Sequence, residues 1–322
     1  MDHLLSSARN LFSSATVNRA PEYRLANHEL TALATGANAR FLPILGSQVF
    51  VLRTDTGYVA ATLAHSRFEE TFDAVGPIIY LGLFNDQQHF AVDVKATGTS
   101  THDNPGFGDL RQVAPLLSAD DCTLLGYARA MVHWQQGHRF CGRCGAANEA
   151  ESGGHVLRCG ARSCGRQHFP RTDPAIIVLV EDGSFALFGR QAQWPSARYS
   201  TIAGFVEPGE SAEQAVVREV AEETGVEVTG MRYHSSQPWP FPGTLMLGYL
   251  ASAGANTISL NDKELEDAKW LSRRDVEAQM QAGTFIPPPP ISISFSLIEA
   301  WFDQDADVPL KELRETCVGS DI

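Results

Sequence analysis

Four of the six cysteines crowd into one short stretch, as Cys141-x2-Cys144 and Cys159-x4-Cys164. That stretch is rich in glycine and poor in apolar side chains, so it cannot fold by burying a core and needs a staple. Two thiolate pairs on tight turns, followed by Gly142, Gly145, Gly160 and Gly165, make the ligand set of a tetrahedral zinc ion. All four coordination positions are filled by cysteine, so the ion is structural and leaves no open site for chemistry. Zinc binding contributes on the order of 10 to 16 kcal/mol in small metal-stapled peptides, enough to fold a segment without a core. His155 and His168 lie nearby, but with four thiolates present they read as solvent-facing side chains. Cys122 and Cys317 stand apart, an uneven pattern that argues against a disulfide framework and for a reducing, cytoplasmic setting.

On either side of the staple the chain has material for larger domains. Its 322 residues, 43% of them hydrophobic, exceed one compact domain and predict two or three. From about residue 40 to 94, short apolar runs (FLPIL, QVFVLR, YVAATLA, IIYLGLF, HFAVDV) alternate with Gly, Asp and Asn turns, which predicts a mostly β segment. Leu124, Leu125, Ala128, Met131 and Val132 follow Ser118 at helical spacing and predict a helix over 118–136. From Arg171 the pattern becomes mixed α/β. Strands are expected at AIIVLV and FALFGR around a turn at 181–184, then at TIAG, and after a helix at LMLGYLA. A second helix starts at Ser272, with Asp275 three residues on, and stops at Gly283; Pro287 to Pro290 forbid helix before a last one through Trp301. The divisions are an N-terminal arm (1–20), an N-terminal domain (21–136), a zinc-stapled segment (137–170) and a C-terminal α/β domain (171–322). No internal repeat is visible. The arm carries Arg9 and Arg19 but also Asp2, and lacks an apolar core of signal-peptide length, so it reads as a frayed or partly helical segment.

A net charge of −13 repels polyanions except at a local basic patch or through bound cations, which excludes a nonspecific grip on nucleic acid. The longest apolar stretches, such as 176–180, fall well short of the roughly 20 residues of a membrane span.

The chemistry points to residues 204–226, GFVEPGESAEQAVVREVAEETGV, a glycine-marked loop, a helix and a glycine stop. Ser211 and Gln214 form a capping box, Glu213 suits the positive helix end, and Gly225 supplies the left-handed residue after the last turn. Glu219, Glu222 and Glu223 stand at i, i+3 and i+4, so three carboxylates share one face within a turn. Their repulsion weakens the helix unless a hard divalent ion, Mg2+ or Mn2+, is held between them. A merely solvated face is the plain alternative, but the fixed glycines and Arg218 favour metal chemistry. Val217 and Ala221, with Val220 at the edge, are expected on the opposite, packing face. Arg218 and Glu210, about two turns apart, are expected to pair and fix the preceding loop.

This spacing resembles the Nudix box: glycine, five residues, Glu, seven residues, Arg-Glu, an aliphatic, one residue, Glu-Glu, one residue, Gly, aliphatic. Within that family a second marker, Ser236-Gln237-Pro238-Trp239-Pro240-Phe241-Pro242-Gly243-Thr244-Leu245-Met246, resembles that of the NADH pyrophosphatases. A zinc ribbon directly before the Nudix domain belongs to that architecture, and the resemblance covers residue 139 to about 301. It implies an α/β fold in which a Nudix α/β/α sandwich follows a zinc ribbon and a mostly β, Nudix-like N-terminal domain that aids homodimer formation. The three prolines of the marker stiffen the loop, so that Trp239 and Phe241 project from a backbone with little entropy to lose and offer faces to flat ligand rings. A loop filling the space beneath a dimer interface is the alternative for the same residues.

The resemblance implies metal-dependent hydrolysis of the diphosphate of NADH or NAD+ to the nicotinamide mononucleotide and AMP, and removal of NAD caps from RNA 5′ ends. It implies Glu219 and Glu223 as ligands of Mg2+ or Mn2+, Glu222 as ligand or base, Glu264 as a further metal or base carboxylate, and Ala203 as a backbone metal contact. It places Phe169 and Phe205 near the nicotinamide ring, Gln237, Pro238, Trp239, Pro240, Phe241, Pro242, Gly243 and Thr244 around the dinucleotide, and Ser294 as a further contact. Tyrosine is frequent in the family where Phe169 stands; phenylalanine keeps the ring and loses the hydroxyl. Two other readings use the same residues: hydrolysis of ADP-ribose or diadenosine polyphosphates, and an RNA-binding ribbon, with Arg139, Arg143, Arg158, Arg162, Arg166 and Arg171 along phosphates, beside a nucleotide-sensing Nudix domain.

Overall fold

The computed structural model describes residues 3–24, 27–95, 104–260 and 264–318; Asp2 and Lys263 lie outside them. The chain forms two compact units. One comprises Leu11–Thr172 with Trp239–Gly243, the other Met1–Asn10, Asp173–Pro238 and Thr244–Ile322. The N-terminal arm is partly helical, as expected, with α1 over His3–Ala8. Its end is anchored rather than frayed. Buried Asn10 donates from Nδ2 to Ser235 Oγ and Ser236 O, both at 3.0 Å, and accepts from Ser296 Oγ at 2.9 Å.

The unit of Leu11–Thr172 contains α2 (Asn27–Ala34), then β1 (Ala39–Leu45), β2 (Gln48–Thr54) and β3 (Gly57–Ala60). After α3 (His65–Thr71) come β4 (Ile79–Phe84), β5 (Gln87–Asp93), β6 (Gly106–Asp109), the single turn α4 (Leu110–Val113) and α5 (Ala119–Gly137). The sheet order is β3-β2-β1-β5-β4 with β6 also on β2, and the central pair β1 and β5 is parallel. Helix α5 starts where the sequence predicts, with Ser118 Oγ accepting from Asp121 N at 3.1 Å. An aromatic core of Phe41, Phe50, Phe68, Phe72, Tyr80, Phe90 and Phe107 fills this domain. Each such side chain contributes about 1.5 to 3 kcal/mol when buried, so the domain has a core of its own.

The ribbon has none. Its sheet is β7 (Asn148–Glu151), β8 (Val156–Cys159) and β9 (Gln167–His168), and Val156 and Leu157 are its buried aliphatic side chains. Two such residues contribute about 3 to 6 kcal/mol, against an ordering cost on the order of 30 kcal/mol for a stretch this long, so the cysteines must supply the staple. His155 differs from the expectation. It is buried, with Nε2 2.7 Å from Tyr80 O, because the turn at 152–154 tucks it against β4.

In the other unit β10 (Asp173–Asp182) and β11 (Phe185–Arg190) form the expected hairpin, and β12 (Ile202–Phe205) pairs with β10. Then come α6 (Ala212–Thr224), β13 (Val228–Trp239), β14 (Thr244–Ala253), β15 (Asp267–Ser272), α7 (Arg273–Gln281), α8 (Ile293–Phe302) and α9 (Leu310–Val318). The sheet order is β13-β14-β10-β11-β15, with β10 and β14 parallel. The apolar run of β10 serves both faces: Ile176, Val178 and Val180 pack with α6, and Ile177 and Leu179 with the side chains of α7, α8 and α9. A strand buried on both faces reads as continuous rather than alternating, and the result is an α/β/α sandwich. Most of the proline-rich marker is strand rather than loop, because Ser236 to Trp239 end β13 and Thr244 to Met246 begin β14.

The two sheets share a plan that no sequence repeat announces. In each, the first strand forms a hairpin with the second and pairs in parallel with a later strand that follows a helix (β1, β2, α3, β5; β10, β11, α6, β14). Helix α3, in the place of α6, spans seven residues and has Glu69 and Glu70 but no preceding glycine-marked loop.

Candidate active site

Helix α6 is built as its termini predict. Gln214 N donates to Ser211 Oγ (3.2 Å), Ser211 N donates to Gln214 Oε1 (2.8 Å), and Gly225 closes the helix at φ 69°. The packing face differs from the expected one. Ala215, Val216, Val220 and Thr224 are buried, whereas Val217 is 43% exposed and Ala221 is exposed. The reason is that Glu219 and Glu223 do not stand opposite the core but at its margin, which turns the apolar stripe by about one residue, roughly 100°. Glu223 is only 4% exposed.

Glu219 reaches onto strand β12. A Cβ on Gly204 would lie 1.9 Å from its Oε1 and 2.0 Å from its Cδ, so the first glycine of the box is empty space that the carboxylate fills. Burial raises the Glu219 pKa, the nearby charges of Glu222 and Glu264 raise it further, and Arg218 opposes both. Arg218 joins the loop to the helix. Its Nε and Nη2 donate to the two carboxylate oxygens of Glu210, both at 2.8 Å, Nη2 also to Phe205 O at 2.9 Å, and Nη1 to Glu219 at 2.9 Å and Glu222 at 3.0 Å. Arg218 and the backbone N–H of Glu207 hold the Glu210 carboxyl down at about 2, which bears out the loop-fixing pair. Gly209, at φ 92°, makes the turn of that loop in a conformation that other residues rarely adopt.

Glu264 is exposed just before β15, close enough for its charge to act on Glu219. Its two neighbours are structural: Glu266 pairs with Arg190, and Asp267 accepts from Tyr199 Oη at 2.5 Å. Phe205 is 60% exposed and Ala203 is exposed, both on β12, two residues apart and so on one face. These residues gather around α6 and β12.

Other predicted residues lie elsewhere. Gln237 is buried, with Nε2 donating to Ile291 O and Oε1 accepting from Ile293 N, both at 2.8 Å. Ser294 is buried against Ser200 Oγ (3.0 Å) and Thr201 Oγ1 (2.8 Å), a hydroxyl cluster with no signature in the sequence. Pro238 ends β13 exposed, and Thr244 is buried at the start of β14. Phe169, 55% exposed, follows the ribbon strands in the other unit, and Trp239, Pro240, Phe241, Pro242 and Gly243 fall in that unit as well. There the rings of Trp239 and Phe241 are packed rather than projecting. Phe12 meets both edge-on at 6.3 and 5.8 Å, Arg111 and Arg129 stand over Phe241 at 4.6 and 5.0 Å, and Arg129 donates to Pro240 O.

The sulfur atoms of Cys141, Cys144, Cys159 and Cys164 all lie within 4.8 Å of one another, with 3.9 Å between Cys141 and Cys164 and 3.4 Å between Cys144 and Cys159. A tetrahedron with zinc–sulfur bonds of about 2.3 Å has edges of about 3.8 Å, so the set fits zinc. Of the four flanking glycines, Gly145 and Gly165 take positive φ (75° and 54°), each donating back to the first residue of its turn at 2.8 and 2.9 Å. Among the described residues no helix is long and apolar enough to cross a membrane.

Three family models match in chain order: an NADH pyrophosphatase-like rudimentary NUDIX domain over residues 38–134, an NADH pyrophosphatase zinc ribbon domain over 137–169, and a NUDIX domain over 170–287. The chain belongs to the NADH pyrophosphatase group of the Nudix family. Within this Nudix group it is 44% identical over 183 residues to the NAD-capped RNA hydrolase NudC of Stutzerimonas stutzeri, covering 56% of this chain and 63% of the relative. It is 37% identical over 196 residues to human NAD-capped RNA hydrolase NUDT12 (58% and 42%), and 38% identical over 213 residues to human mitochondrial NAD(P)H pyrophosphatase NUDT13 (62% and 60%). The matched regions thus span about half the length of these curated relatives. The rudimentary Nudix domain at the N-terminus explains the shared plan of the two sheets.

Proposed function

We propose that this Nudix protein hydrolyses the diphosphate of NADH or NAD+, releasing the nicotinamide mononucleotide and AMP, and acts likewise on NAD-capped RNA 5′ ends. The observation that carries the reading is the carboxylate face of α6 lodged on Gly204 and tied through Arg218 to the loop at Glu210. Glu219 and Glu223, with Glu264 and the backbone of Ala203, offer hard oxygen donors for Mg2+ or Mn2+, and a cation would offset the burial that chiefly raises the Glu219 pKa as well as the lesser repulsion from Glu222 and Glu264. When bound, the ion supplies the charge neutralisation that a diphosphate needs.

The chain's own groups do the rest. Glu222, exposed beside Glu219, is the group to take the proton of attacking water, with Glu264 as the other candidate. Arg218 keeps Glu219 and Glu222 at fixed separation, and the exposed ring of Phe205 offers a face to the nicotinamide ring. In the segment from Gln237 to Thr244, the packed Trp239 and Phe241 contribute by holding its shape, and Ser294 sets the backbone at Thr201. The relatives' names support the substrate class, and the exposed Arg143, Arg162 and Arg166 of the ribbon support a capped RNA strand. A cytoplasmic homodimer is part of the same reading.

The test is product analysis of purified protein with NADH and Mg2+ or Mn2+, beside Glu223→Gln, with ADP-ribose and diadenosine polyphosphates as competitors. AMP and the reduced mononucleotide from the wild type alone, with NADH preferred, supports the proposal. Preference for a competitor overturns the substrate, and no cleavage of any of them overturns the chemistry.

A further inference from the structure

On the face of the sheet opposite α6, two arginines of the same unit approach each other without a counter-ion. Arg314 lies on α9, whose Leu310 and Leu313 share the core of Ile177 and Leu179, and it is only 4% exposed. Arg198 stands in the segment between β11 and β12, which Ile286 pins: Ile286 N donates to Ala197 O at 2.7 Å, and Tyr199 N donates to Ile286 O at 3.3 Å. Arg198 is half-buried and close enough for its charge to act on Arg314. Neither guanidinium makes an ion pair or a hydrogen bond among the described residues. Nε of each is sealed in without a partner, whereas the terminal nitrogens, equally unpartnered, keep access to solvent. Glu315, next along α9, is exposed and acts on Arg314 without pairing with it.

Taking a guanidinium out of water is costly unless an anion and new hydrogen bonds replace the water. A second positive charge nearby adds to the cost, and burial together with Arg198 lowers the Arg314 pKa. Guanidinium N–H forks match the oxygen atoms of phosphate, which they hold in a bidentate manner. Charge decides among the anions. A monoanion, such as a carboxylate or an RNA phosphodiester, leaves one of the two positive charges uncompensated, whereas a phosphate dianion balances both. We propose that Arg198 and Arg314 form a binding site for a doubly charged phosphate group, either orthophosphate or the phosphate of a monoester. It is separate from the carboxylates of α6 and does not depend on the reaction proposed for them.

The experiment titrates the full-length zinc-loaded protein, without added Mg2+ or Mn2+, with orthophosphate, glycerol phosphate and acetate at constant ionic strength, reading heat and melting temperature. The phosphate group is expected to bind about tenfold tighter than acetate or better, and to raise the melting temperature by about 3 °C or more at saturation. Preference for orthophosphate assigns the site to the free ion; glycerol phosphate binding as tightly or tighter assigns it to monoesters. Arg314→Met removes the unpaired charge and still fills the space, so it is expected to keep or raise the melting temperature in phosphate-free buffer and to abolish the rise with phosphate. Arg198→Gln, on a separate and half-buried segment, is expected to weaken phosphate binding about tenfold, which covers the case in which the Arg314 variant fails to fold. Phosphate binding no tighter than acetate, or phosphate binding untouched by Arg198→Gln, would each overturn the proposal.

Discussion

The carboxylate of Glu219 occupies the space that a side chain on residue 204 would fill, so Gly204 and Glu219 form one device split between a strand and a helix. The colliding atoms are the far end of a flexible side chain. Gly204→Ala should therefore displace the carboxylate while changing stability by no more than about 1 kcal/mol. The expected outcome is a hundredfold or larger loss of kcat with a melting temperature within a few degrees of wild type. Calorimetry and steady-state kinetics on one preparation check it.

The pairing of Glu210 with Arg218 has a pH signature. The Glu210 carboxyl ionises near 2 in the folded protein, below its ordinary 4.5, so the folded state holds fewer protons than the unfolded one between these values. Its stabilising contribution is complete above about pH 4.5 and disappears as the pH falls towards 2. Glu210→Gln should lower the melting temperature at pH 7 and match wild type near pH 2, and melting curves across that range decide the matter.

Buried His155 acts in the same direction but over a higher pH range. Burial lowers its pKa from 6.5 to about 4, so protons favour the unfolded chain as the pH drops through that window. About 2 kcal/mol of stability should be lost between pH 7 and pH 5 on this account alone. Denaturant titrations of wild type and His155→Gln at the two pH values should show a smaller loss in the variant.

Packed and exposed aromatic residues should separate in their effects. Phe241 is held by Phe12, Arg111 and Arg129, so Phe241→Ala should cost about 2 kcal/mol of stability. Phe205 is open to solvent, so Phe205→Ala should leave the melting temperature unchanged and raise KM for NADH severalfold. An unfolding midpoint that moves for Phe205 and not for Phe241 contradicts this division.

Removing zinc should unfold the ribbon selectively. Val156 and Leu157 cannot hold it alone, so a strong chelator or Cys159→Ser should abolish hydrogen-exchange protection across β7 and β8 while the aromatic core around Phe41 and Phe90 keeps its own. One zinc per chain, by elemental analysis, is expected before treatment.

Local chemistry was legible in the sequence. The capping boxes at Ser211 and Ser272, the glycine stop at Gly225, the hairpin of β10 and β11 and the cysteine quartet all depend on residues a few positions apart, so spacing alone determines them. The glutamates of α6 and their arginine could be named for the same reason. Which way the helix faces could not, since that depends on what packs against it: Val217 and Ala221 are as apolar as Val216 and Val220, and only the sheet beneath selects between them. The same holds for the burial of His155 against β4, the engagement of Trp239 and Phe241 by Phe12 and two arginines, and the Gly204 space that Glu219 enters. The residues concerned are far apart along the chain and unrelated in type. Tertiary packing alone brings them together, because contacts between side chains from separate elements leave no periodic trace in the sequence.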